Sequence, residues 1–75
     1  MRNKIRLDTL SDVQNFLDKI KDVDKEVYLT DPVHRFKVNA KSILSIILAQ
    51  TEWNSIWVEC EKDIYQLVER WVINE

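Results

Sequence analysis

Ser42, His34, Cys60 and the acidic trio Asp18, Asp22 and Asp24 are the side chains whose chemistry bears most directly on function. Ser42 closes the run Asn39-Ala40-Lys41-Ser42 and precedes the apolar stretch from Ile43 to Ala49. A serine there is a natural helix N-cap, because its hydroxyl accepts from a backbone N–H that has no partner within the helix. His34 is the only histidine and follows the turn Asp31-Pro32; we read it as an exposed or edge-strand imidazole. Cys60 has no metal-ligand companion at a useful spacing, so it reads as a small core residue. The three aspartates read as a solvated face, since nothing pairs them for acid–base work. Asp22-Val23-Asp24 alone falls short of the ordered oxygen donors that a cation requires. No catalytic constellation emerges, and we expect no enzyme, no cofactor and no metal ion.

These residues must be positioned by elements, and hydrophobic periodicity supplies them. Leu10, Val13, Phe16, Leu17, Ile20 and Val23 fall on one stripe of about 140° at helical spacing. Thr9 with Asp12, or Ser11 with Gln14, supplies a capping box at the start of that helix. Lys4 to Leu7, Glu26 to Thr30, His34 to Val38 and Ser55 to Cys60 alternate as strands with one inward face each. The inward sets include Ile5 and Leu7, Val27 and Leu29, and Ile56, Val58 and Cys60. Thr51 to Asn54 reads as a loop, and Glu61 to Ile73 as a closing helix burying Ile64, Leu67, Val68 and Trp71. The short second helix carries more apolar surface than one sheet contact needs, because Leu44 and Leu48 lie outside the arc of Ile43, Ile46 and Ile47. Either a second element covers that excess or a partner does.

The element order is β-α-β-β-α-β-α, which predicts an α+β fold with a four-stranded antiparallel sheet covered on one face by helices. Seventy-five residues fit a single domain spanning 1–75. An apolar content of 45% beside 32% charge argues for a folded chain rather than a disordered one. The complete absence of glycine excludes phosphate-cradling loops and dinucleotide fingerprints. A net charge of −2 gives no electrostatic reason to expect nucleic acid. No apolar run approaches the roughly 20 residues of a membrane span, and Met-Arg-Asn-Lys does not open a secretory signal. One cysteine excludes an internal disulfide, and the expectation is a cytoplasmic protein, monomeric or weakly dimeric.

That element order, with Asn39-Ala40-Lys41-Ser42-Ile43-Leu44 opening the short helix, resembles the HPr family, the small phosphocarriers of the bacterial sugar phosphotransferase system. The resemblance covers roughly residues 3–73 and includes the lysine-serine-isoleucine run and a helix phenylalanine at Phe16. It implies an open-faced β-sandwich. The family's phosphohistidine opens the first helix, followed by an arginine and a proline. Counting back from Phe16, the histidine position falls at about Thr9, and the other two fall at Ser11 and Asp12. A threonine offers no nucleophilic nitrogen, and Asp8 and Asp12 would repel a phosphoryl donor. The expectation is therefore a degenerate HPr-like protein that binds and regulates rather than carrying phosphate.

By the same resemblance, Ser42 matches a serine that a dedicated kinase phosphorylates in some bacteria, a modification that a helix N-terminus stabilises. The alternative for Ser42 is a cap and nothing more. Leu44 and Ile47, joined by Leu48, match the family's docking surface, with Ile43 and Ile46 beneath, facing the sheet. The implied partners are enzymes of the phosphotransferase system, a serine kinase or a transcriptional regulator. The alternative is that Trp53 folds over Leu44 and Ile47 and makes them ordinary core. A second functional reading is an unrelated small α+β domain whose sheet face, with Tyr28 and Trp57, binds a ligand or nucleic acid.

Overall fold

Period-two alternation builds the sheet. The computed structural model describes residues 1–74. Its strands are β1 (Arg2–Ile5), β2 (Val27–Thr30), β3 (Lys37–Asn39) and β4 (Ile56–Cys60). They form one antiparallel sheet in the order β1-β4-β2-β3. The register places Arg2 opposite Glu59 and Ile5 opposite Ile56, then Leu29 opposite both Val58 and Val38. Val27, Leu29, Ile56, Val58 and Cys60 are all buried on one face, as their alternation predicts.

Helices α1 (Leu10–Ile20), α2 (Ile43–Glu52) and α3 (Tyr65–Val68) complete the order, and α3 runs into a 3-10 turn at Glu69–Trp71. Val13, Phe16 and Ile20 of α1 join Ile46, Ala49, Ile64, Val68 and Trp71 in one core with the sheet residues. Phe16 meets Trp71 edge to face at 5.6 Å and 80°, a favoured aromatic geometry that locks α1 to the last turn. The fold is α+β with an open antiparallel sheet and three helices. No helix among the described residues is long and apolar enough to cross a membrane.

Several boundaries differ from the sequence reading, each for a local reason. The first strand is Arg2–Ile5 rather than Lys4 to Leu7, although Ile5 and Leu7 both point inward and are buried. Leu10, expected on the buried stripe of α1, is 59% exposed: as the first helical residue it lies where the stripe runs past the end of the core. Helix α2 continues through Thr51 and Glu52, where a loop was expected. The Thr51 hydroxyl donates back to the Ile47 carbonyl, and Trp53 N–H caps the Ala49 carbonyl at 3.0 Å. The closing helix is far shorter than Glu61 to Ile73. The Asp63 carboxylate accepts from Tyr65 N–H at 3.0 Å and delays its start. At its end, Ile73 N–H turns to the Lys4 carbonyl and Arg6 N–H to that of Trp71, so β-branched Val72 and Ile73 run alongside β1. Leu67, within α3, lies at the surface rather than in the core.

Candidate docking surface

Helix α2 is started by a short relay of polar groups. Asn39 Oδ1 accepts from Lys41 N–H at 2.9 Å, turning the chain out of β3. Lys41 Nζ then donates to the Val23 carbonyl and ties this turn to the loop after α1. Ser42, in extended conformation, accepts from Ser45 N–H at 3.4 Å and is the N-cap that its position predicted. The helix is apolar nearly all round, and its orientation decides which residues remain outside.

Ile46 and Ala49 face the core. At 100° per residue, Leu44 and Leu48 lie about 160° and 200° round the axis from Ile46, on the opposite side. Leu44 is 76% exposed and Leu48 49%. Ile47, about 100° from Ile46, is half-buried and packs against the core. Ile43 was expected beneath, facing the sheet, but it is 39% exposed because it heads the helix on a flank of the buried arc. The outward ridge is therefore Leu44 and Leu48, with Ile43 and Ile47 on its side.

Trp53 does not fold over this ridge. Its ring stacks on Phe36 at 6.4 Å and 17°, and with Leu48 the two rings line a groove of about 530 Å³. Val33, Val38, Asp31, Arg35 and Glu52 are among the other residues that line it. Phe36, which falls inside the strand expected from His34 to Val38, instead precedes β3 and is 55% exposed. The groove escaped sequence reading because it joins residues from two elements. Its only local signal is Val33 and Phe36, apolar residues in a stretch otherwise polar.

The connection holding Phe36 is built on Asp31. Its buried carboxylate accepts from Phe36 N–H at 2.9 Å and pairs with Arg35 Nε at 3.4 Å. Burial alone would raise the Asp31 pKa, but those hydrogen bonds outweigh it and hold the carboxyl below its ordinary value. His34 lies in this connection with φ of 59°, which breaks the extended chain and delays the strand to Lys37. Its Nε2 is 2.9 Å from Glu59 across the sheet. Arg2 Nε and Lys37 Nζ approach the same carboxylate at 3.5 and 3.6 Å. The His34 hydrogen bond chiefly, with help from Lys37, holds the Glu59 pKa below its usual value, against partial desolvation. Sequence gave no hint of this hub, since its members come from three strands and a loop.

Thr9 and Asp12 form the expected capping box. Thr9 Oγ1 accepts from Asp12 N–H at 3.0 Å, and Asp12 Oδ2 accepts from Thr9 N–H at 3.3 Å. The Asp12 carboxylate also accepts from Asp8 N–H at 3.1 Å and from the Trp71 indole at 3.4 Å. The bond from Asp8 is the largest influence keeping its pKa low. The Thr9 hydroxyl is thus engaged in structure. Cys60 is buried, and no cluster of three or more metal-ligating side chains occurs among the described residues. No family model, curated protein or solved structure matches the chain.

Proposed function

We propose that this chain is an HPr-like protein-binding module of the bacterial sugar phosphotransferase system, regulatory rather than phosphate-carrying, with α2 as its docking helix. The observation that carries the reading is the Leu44–Leu48 ridge, exposed on a helix whose opposite side is core, directly after the Ser42 cap. Adjacent exposed leucines continuous with an apolar groove are an interaction surface on a small domain. The strand order β1-β4-β2-β3 in the β-α-β-β-α-β-α succession supports the HPr-like open-faced sandwich. At the start of α1, Thr9 offers a hydroxyl already held in a capping box and no nitrogen nucleophile. Ser42 stands where a phosphate would gain from free helix N–H groups and change the charge beside the ridge. The setting in the cell is the cytoplasm, where the phosphotransferase enzymes and a serine kinase would be the partners.

The alternative, ligand or nucleic acid on the open sheet face, has less in its favour. Arg2 lies over the Trp57 ring and Lys37 over the Tyr28 ring, each at 4.3 Å, so the protein's own cations occupy both aromatic faces.

The test is titration of the labelled protein with purified phosphotransferase enzymes and with a kinase of the HPr serine. Binding without acid-labile phosphate on the chain is expected, together with its loss in Leu44→Glu while the cooperative melt is retained. Phosphohistidine at His34, or equal binding by Leu44→Glu and the parent protein, would overturn the reading.

A further inference from the structure

We draw no further inference here: the strongest candidate, the apolar groove that Phe36, Trp53 and Leu48 line between the β2–β3 connection and α2, beside the exposed Leu44, carries nothing further because nothing in the structure shows what covers it.

Discussion

At the scale of single residues, two hydroxyls matter because of where they sit in the backbone. Ser42 and Thr9 both precede helices in extended conformation, and both accept from an N–H of the first turn. Their difference lies in what surrounds them. Thr9 is closed into a reciprocal box with Asp12, whereas Ser42 has an apolar helix after it and no acid in the first turn. Ser42→Ala should therefore cost about 1 kcal/mol, and Ser42→Asp close to nothing, since aspartate caps as well and suits the helix dipole. Urea denaturation of the three proteins measures this. Equal losses for Ala and Asp would mean that the side chain does not cap. The Thr9 box was readable as one of two frames, Thr9 with Asp12 or Ser11 with Gln14. Local spacing cannot choose between them. The frame is selected by tertiary structure, because Leu7 is buried just before it and Asp12 also receives the Trp71 indole.

At the scale of elements, strand faces were legible and ends were not. Alternation marked Val27, Leu29, Ile56, Val58 and Cys60 as inward, because a strand's two faces are set by chemistry that every residue declares. The ends depend on hydrogen bonds to distant or unobvious groups, such as Phe36 N–H to the Asp31 carboxylate and Ile73 N–H to the Lys4 carbonyl. The excess apolar surface of α2 was also legible, with Leu44 and Leu48 outside the inward arc; the partial exposure of Ile43 was not, since it follows from how the helix is rotated on the core. The turn before β3 offers the clearest prediction at this scale. His34 occupies the left-handed region at φ of 59°, where a Cβ is unfavourable and a β-branched one more so. Its pair with Glu59 is a partly exposed one, worth little in compensation. His34→Gly should leave the melting temperature unchanged or raise it, and His34→Val should lower stability by about 1 kcal/mol or more. If glycine and valine destabilise alike, the Glu59 contact rather than backbone conformation governs that position.

At the scale of the whole molecule, carboxylates join parts of the chain that the apolar core does not. Asp12 links the start of α1 to Trp71, and Asp24 links the loop after α1 to Lys62 at 3.2 Å. Asp31 holds the β2–β3 connection, and Glu59 on β4 gathers Arg2, His34 and Lys37. All four have pKa values below their ordinary values of 3.8 for aspartate and 4.5 for glutamate. The sign of the pH dependence follows from linkage. A carboxyl whose pKa is lowered by folding binds fewer protons in the native state, so its contribution is fully present above the unfolded value. That contribution is lost as pH falls through the folded one. Stability should accordingly be level between about pH 7 and about pH 5 and then decline through the carboxylate range below 4.5. The groups differ in exposure, and so in weight. Asp24 is on the surface, where screening leaves little, whereas Asp31 is buried with its hydrogen bonds made. The steepest part of the decline should therefore belong to Asp31. Urea midpoints measured at pH 7, 5, 4 and 3 define the profile for the parent chain and for Asp31→Asn and Asp24→Asn. Asp31→Asn should be less stable at pH 7 and nearly insensitive to acid until the other carboxylates protonate. Asp24→Asn should follow the parent curve. A parent profile that stays flat to pH 3, or an Asp31→Asn profile parallel to the parent's, would show that these carboxylates decorate the fold rather than hold its outer parts to it.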